Sequence, residues 1–225
     1  EAIYIGSGGQ AGQDSIGMGA GAVAVNGPAI AIGRNARAVG SVTLAMGNSA
    51  TVDSNQSIGL SGENININSA AQRSVGIGRQ VTIQSNNCIA IGNYARVLTS
   101  ASNSMNFATS GVGVGGVSSP NSVNIAPGSY NTNITAAAPR AIGIGSANQA
   151  MDKVTAPDGI AIGTESTATA AGAVSLGREI VANMVDTVSV REVEVQTVGG
   201  GITMYSPDGT AYKLTVANGG TLVIT

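Results

Sequence analysis

Two apolar residues flanking one small residue, closed by glycine, recur about every fourteen residues through most of the chain. The copies read Ile3-Tyr4-Ile5-Gly6, Ile16-Gly17-Met18-Gly19, Ile30-Ala31-Ile32-Gly33, Ile89-Ala90-Ile91-Gly92, Ile142-Gly143-Ile144-Gly145, Ile160-Ala161-Ile162-Gly163 and Val174-Ser175-Leu176-Gly177. Apolar positions two apart have the period of a strand that buries one face. Gly and β-branched residues fill the repeats, and no stretch keeps a 3.6-residue stripe, so helix is excluded. Self-similarity at so short a period predicts a solenoid of stacked rungs.

The closing residue tracks the register through the weaker copies. It falls at Gly6, Gly19, Gly33, Gly47, Ser61, Gly78, Gly92, Ala108, Ala126, Gly145, Gly163 and Gly177, which gives about twelve rungs, with insertions between 93 and 163. After it comes a second alternation, as in Ala36-Arg37-Ala38, Ala50-Thr51-Val52, Ala95-Arg96-Val97 and Ala168-Thr169-Ala170. Each rung is therefore expected to hold two short strands and two tight turns. The closing Gly is expected at positive φ or against another backbone, and the rungs closed by Ser61, Ala108 and Ala126 are expected to turn differently. Small residues before the first apolar position, namely Ala29, Ser41, Ser57, Ser74, Cys88, Ala141 and Ala173, point to close backbone approach there.

Twelve rungs at roughly 4.8 Å make a body on the order of 55 to 60 Å long. A coil this narrow is expected to enclose a single file of Ile, Val and Ala, too little apolar surface to offset chain entropy comfortably. Aromatic residues, at 3 %, add little. Oligomerisation is the expected remedy, with small-residue faces of neighbouring chains packed about a common axis.

Residues 1–178 form this repeat region, and residues 179–225 read as a small antiparallel β meander. Val188-Ser189-Val190 and Val193-Glu194-Val195 alternate around a phase slip at Arg191-Glu192 that suggests a bulge. Ile202 to Tyr205, the turn Ser206-Pro207-Asp208-Gly209, Tyr212 to Val216, the turn Asn218-Gly219-Gly220 and Thr221 to Thr225 complete it. Capping of the roll and three-chain registration are the roles expected of this end piece.

The segment Ala29 to Ala38, echoed at Ile89 to Val97 and at Ile160 to Ala170, resembles the head repeat of YadA-like trimeric autotransporter adhesins over roughly residues 2 to 178. The resemblance implies an all-β fold, a left-handed parallel β-roll, and a homotrimer that binds host surfaces. The string Ser206 to Val216, with Gly220-Thr221-Leu222 soon after, resembles an ending found on phage tail and fibre proteins. Nothing after Gly177 shows the heptads of an adhesin stalk, and the last residues supply no bilayer-spanning helix or barrel.

Together these resemblances favour a bacteriophage tail fibre or fibre tip, located in the virion, whose partners are other tail or fibre proteins and a bacterial surface glycan or outer-membrane protein. The alternative is a trimeric adhesin head on a bacterial cell surface that binds host matrix or cells. A glycan depolymerase tailspike ranks third.

Charged residues are 10 % and the net charge is −2, so no basic stripe for nucleic acid exists. Neither a signal peptide nor a membrane segment is evident, and a chain starting within a repeat reads as a fragment or a processed product. Cys88, the one cysteine, occupies a slot otherwise filled by Ser or Ala and reads as a small packed residue.

The absence of His removes the usual general base, the Ser-His and Cys-His pairs and the commonest metal ligand. No enzymatic activity, cofactor or metal is expected. The carboxylates Asp53 with Glu63, and Asp152 or Asp158 with Glu165, are the candidates for glycan hydrolysis, but no aromatic platform lies near them in sequence and solvated loop acids are the better reading. Asp14 and Asp53 in Asn-rich turns are weak Ca²⁺ candidates without an acidic nonapeptide repeat. Gly111 to Gly116 satisfies GxGxxG without a βαβ unit around it and reads as a turn.

Loops at about 109–120, 127–140 and 147–158 lengthen consecutive rungs and are expected to project from one zone. They carry Tyr130, Arg140, Asp152, Lys153 and Asp158, the candidate receptor-binding residues. Packing across a trimer is an equally open role for them.

Overall fold

A computed structural model describes residues 1–109, 116–127, 132–135, 137–146, 151–193, 201–216 and 222–225. The fold is all-β: a parallel β-solenoid of about twelve turns followed by a three-stranded antiparallel sheet. Each rung contributes one strand to each of two long sheets. Thirteen strands of three to five residues, from Ile3–Ile5 to Val188–Val190, form the long-strand sheet, and twelve strands, two residues each except Thr132–Ile134 and Met151–Val154, from Gln10–Ala11 to Val181–Ala182, form the short-strand sheet. Every strand pairs in parallel with its counterpart on the next rung, so Ile16, Ile30, Leu44 and Ile58 fall in one column. Chain neighbours thus never pair with each other, and each strand is satisfied by the rungs above and below.

The core lies between the two sheets, and it is built from the small residues. In the strand Ala29–Ile32 the two alanines are fully buried while Ile30 and Ile32 are half-buried on the outer face. Ile89 and Ile91 flank buried Ala90 in the same way. This corrects the expected interior: the isoleucine pairs do not fill the coil, and the small residues do not face neighbouring chains. The reason is volume. Across from the long-strand sheet stand Ala36, Ala38, Val52, Ile65, Ile67 and Val97, all buried, and the gap between the sheets holds one such side chain against a small one.

Volumes trade across that gap. A Cβ added at Gly59 would lie 2.7 Å from Val52 Cγ2 and 2.9 Å from Ile65 Cγ2, and one at Gly76 would meet Ile67 and Val81. Against Ile65, Ile67 and Val81 the long-strand sheet carries Gly59 and Gly76; where the short-strand sheet carries Ala36 and Ala38, the partner Ala31 has room. At the first rung Tyr4 packs against this core, its ring beside Gly17 and its hydroxyl donating to the Gly19 carbonyl at 3.0 Å.

Two corners join the sheets. At the first, leading from long strand to short strand, the closing glycines have φ between 120° and 147°, and a Cβ on Gly19 would sit 2.6 Å from the Gly33 carbonyl oxygen. Positive φ and close backbone approach therefore act together. Ser61, Ala108 and Ala126 are not among the positive-φ residues, so their rungs do turn differently. The residue two beyond the closing glycine adopts left-handed φ even when it is Asn35, Ser49, Gln80 or Tyr94. Its N–H reaches back one rung, as from Tyr94 to the Arg79 carbonyl at 2.9 Å.

At the second corner, leading back to the next rung, another left-handed column holds Arg73, Asn87, Asn103, Asn121, Arg140 and Asp158. Non-glycine residues carry a cost in that region, and a side-chain ladder offsets it. Arg73 Nε donates to Asn87 Oδ1 at 2.8 Å, Asn87 Nδ2 to Asn103 Oδ1 at 2.9 Å, and Asn103 Nδ2 to Asn121 Oδ1 at 3.2 Å.

Inside this corner runs a second ladder, of buried hydroxyls. Ser57 Oγ accepts the Ser74 N–H at 3.1 Å, Ser74 Oγ accepts the Cys88 N–H at 3.1 Å, and Ser122 Oγ accepts the Ala141 N–H at 3.1 Å. Cys88 is buried in that file, its thiol 3.1 Å from the Ala101 carbonyl, and burial pushes the thiol pKa up. It is the packed residue the sequence predicts. Thr43, rather than Ser41, takes the equivalent slot in its rung, because Ala29 pairs with Thr43.

The repeat unit extends from Glu1 to Val190, twelve residues past the expected boundary at 178, and a second unit covers Arg191 to Thr225. Val188–Val190 pairs in parallel with Val174–Leu176 and is the last long strand, not part of the meander. Residues 194–195 of the other expected strand lie outside the described residues. In the second unit Ile202–Tyr205, Ala211–Val216 and Leu222–Ile224 form the expected antiparallel meander. The tight turn between its first two strands is closed by Gly209 at φ 86° and by Asp208, which accepts the Thr210 N–H at 3.0 Å and a hydrogen bond from the Ser206 hydroxyl. Those bonds hold the Asp208 carboxyl down to about 2.

Candidate functional site

The three lengthened intervals fall at one place in the rung. Thr109 to Gly116, Ala126 to Thr132 and Ile144 to Met151 each lead from a long strand to its short strand, the first corner of three consecutive rungs. The paired strands on either side keep their parallel register. One irregularity accompanies the insertions: between Thr132–Ile134 and Met151–Val154 the register shifts so that Ile134 faces Val154. Lys153 is the extra residue.

That bulge turns Lys153 and Val154 both inward, and Lys153 is fully buried. Its Nζ donates to the Gly163 carbonyl at 2.5 Å, and burial lowers its pKa to about 8. Beside it the core of these rungs turns polar. Asn106 and Asn124 occupy the column held elsewhere by Ala90 and Gly143, with Asn124 Nδ2 bonded to Asn106 Oδ1 at 3.0 Å and Asn106 Nδ2 to the Arg96 carbonyl at 2.9 Å. The sequence does carry this signal, since Met105-Asn106-Phe107 and Val123-Asn124-Ile125 put Asn in the small-residue slot.

The five sequence candidates therefore separate. Tyr130 lies outside the described residues, and of Asp152 only the strand Met151–Val154 that carries it is described. Lys153 faces the interior, where a ligand on the surface does not reach it. Arg140 and Asp158 come together on the second corner rather than beside the lengthened intervals. There they form an exposed bidentate pair and continue the column of Asn87, Asn103 and Asn121.

Three of the five carboxylates considered for hydrolysis are engaged by an arginine of an adjacent rung: Asp53 by Arg37 at 3.0 Å, Glu63 by Arg79 at 2.8 Å, and Asp158 by Arg140. Arg79 also lies over the ring of Tyr94 on the following rung, at 5.8 Å. Among the described residues no three His, Cys, Asp or Glu gather into a metal site, and no helix is long and apolar enough to cross a membrane.

The most extensive surface feature is the outer face of the long-strand sheet. Two apolar columns run its length: Ile16, Ile30, Leu44, Ile58, Val75 and Ile89 continue to Met105, Val123, Ile142, Ile160 and Val174, with Met18, Ile32, Met46, Leu60, Ile77 and Ile91 beside them. Met18, Met46, Ile58, Ile77, Met105, Ile125, Ile162 and Leu176 are 36 to 41 % exposed, although their own neighbours in the column shield them. Soluble monomers rarely leave so continuous an apolar surface uncovered. No family model matches the chain, and no curated protein is similar to it in sequence.

Proposed function

We propose that this chain is a structural and receptor-binding fibre protein acting as a homotrimer, a bacteriophage tail fibre or fibre tip that attaches to a bacterial surface glycan or outer-membrane protein. The observation that carries this reading is the uncharged, two-column apolar ladder on the outer face of the long-strand sheet. An assembly of parallel rods buries it about a common axis, rung against rung. The resemblance to YadA-like head repeats, and the phage-like C-terminal string, support the same reading.

Recognition without chemistry fits the site as well, since Asp53, Glu63 and Asp158 are each paired with an arginine rather than directed at a second acid. Attachment then rests on weak contacts multiplied over three chains. The head of a bacterial trimeric adhesin remains the second reading, favoured by the head-type repeat itself; tail tube and baseplate genes beside this one decide for the phage, a signal peptide and barrel anchor in the full-length gene for the adhesin.

Light scattering tests the assembly directly. Three chains of 22.0 kDa are expected in one elongated particle, and a monomer at micromolar concentration overturns the proposal. Binding of the labelled trimer to intact bacteria, competed by their purified surface glycan, tests the attachment role.

A further inference from the structure

The apolar ladder that would join the chains has a weakness built into its regularity. Rung after rung presents the same pair of aliphatic side chains, so a neighbouring chain displaced by one rung, roughly 4.8 Å, meets nearly the same surface. Ile30 and Ile32 would face Leu44 and Met46 instead of their own copies, at little cost. The long strands flanking the insertions keep the same pattern, Met105, Val123 and Ile142 falling in one column. A repeating interface therefore fixes association without fixing register.

The C-terminal unit has what the ladder lacks. Its meander divides cleanly by register into two unlike faces. On one, Ile202 stands opposite Leu214 and Leu214 opposite Ile224, Met204 opposite Tyr212, and Val216 opposite Leu222. On the other, Thr203 pairs with Lys213, Tyr205 with Ala211 and Thr215 with Val223. The first face carries no charge, so identical copies meet there without repulsion, and Val216, Leu222 and Ile224 are 66 to 67 % exposed. A unit running only from Arg191 to Thr225 is below the roughly 40 residues at which a domain holds together unaided. Covering that apolar face removes it from water and stabilises the small sheet.

We infer that this face is occupied by the same face of two further copies of the chain, and that the resulting non-repeating contact sets the register in which the rods pair. The inference rests on the trimer reading and goes beyond it, since it assigns alignment to the meander and adhesion to the roll. Assembly then begins at the C-terminal unit and proceeds toward Tyr4.

The test uses the full chain with Cys88→Ser and a single height marker, Ile91→Cys. Cysteines at equal height about the axis are close enough to oxidise to a disulfide, whereas a one-rung slip takes them beyond bonding reach. With the native meander, refolding from denaturant is expected to give trimers that cross-link. With Leu222→Lys and Ile224→Lys, cross-linking or trimer yield is expected to fall at least about tenfold while circular dichroism retains the strand signal of the roll. Thr203→Lys and Thr215→Lys, on the opposite face, are expected to change neither.

Apolar-face variants that refold and cross-link like the parent overturn the inference and leave the trimer standing. A parent protein that is itself monomeric removes the trimer reading first.

Discussion

The Arg140 guanidinium holds the Asp158 carboxylate of the next rung in two places, Nε to Oδ1 at 2.6 Å and Nη2 to Oδ2 at 2.7 Å. The hydrogen bond from Arg140 keeps the Asp158 carboxyl below its ordinary range. A carboxyl with a lowered folded pKa contributes stability above its unfolded value and loses it as pH falls through the folded one. Asp158→Asn is therefore expected to lower the melting temperature slightly at pH 7 and to match the parent at strongly acid pH. Thermal melts at the two pH values check it; a difference that persists in acid contradicts the ion-pair account.

Lys153 gives the opposite sign. Its folded pKa of about 8 lies below the 10.5 of a free lysine, so burying the ammonium opposes folding fully below pH 8 and progressively less up to 10.5. The shift corresponds to about 3 kcal/mol. Stability is expected to rise between pH 8 and 10, and Lys153→Met, which keeps the volume, to flatten that rise and stabilise the roll at pH 7. Denaturant titrations of both proteins at pH 7 and 10 measure it.

Gly33 and Gly62 separate conformation from mere glycine content. Gly33 has φ 126° and a Cβ there would strike the Gly47 carbonyl, whereas Gly62 faces open space. Gly33→Ala is expected to cost at least about 2 kcal/mol. Gly62→Ala is expected to be neutral or to stabilise by up to about 1 kcal/mol. Equal effects by denaturant unfolding would contradict the geometry.

Gly59 and Ile65 share one volume. Gly59→Ala alone overpacks against Val52 and Ile65 and is expected to cost about 1 to 3 kcal/mol, while Ile65→Val alone costs about 0.5 to 1.5 kcal/mol. The double variant is expected to be more stable than the sum of the two, by an interaction of about 1 kcal/mol. A double-mutant cycle settles the point.

Much of this architecture is legible in the residues. The fourteen-residue period gives the stacking, the closing glycines give the first corner, and the second alternation at Arg37-Ala38 and Arg96-Val97 gives the short-strand sheet. The orientation of the rung was not legible from alternation alone, because Ile30-Ala31-Ile32 offers an apolar residue to either face. Only the volume available inside the coil decides that alanine goes in. The unit boundary was hidden for a related reason: Val188-Ser189-Val190 repeats Val174-Ser175-Leu176 but lacks the closing glycine that marks other rungs. Lys153 was read as a surface group from its charge, and a one-residue register shift reverses that. Arg140 and Asp158, eighteen residues apart, pair at the second corner and not beside the three long insertions at the first, a meeting that only the stacking register reveals.

The placing of the three longest insertions at a single corner separates two kinds of evolutionary freedom. Hydrogen-bonded strands and the filled gap between them constrain the rest of the rung, yet the long strands on either side of the interval from Ile144 to Met151 keep their register, and the short strands absorb it with the one-residue shift at Lys153. Short rungs such as that between Met46 and Thr51 share the same geometry on both sides. They are natural splice points for displayed peptides, whose spacing along the rod would be set by the choice of rung rather than by any linker.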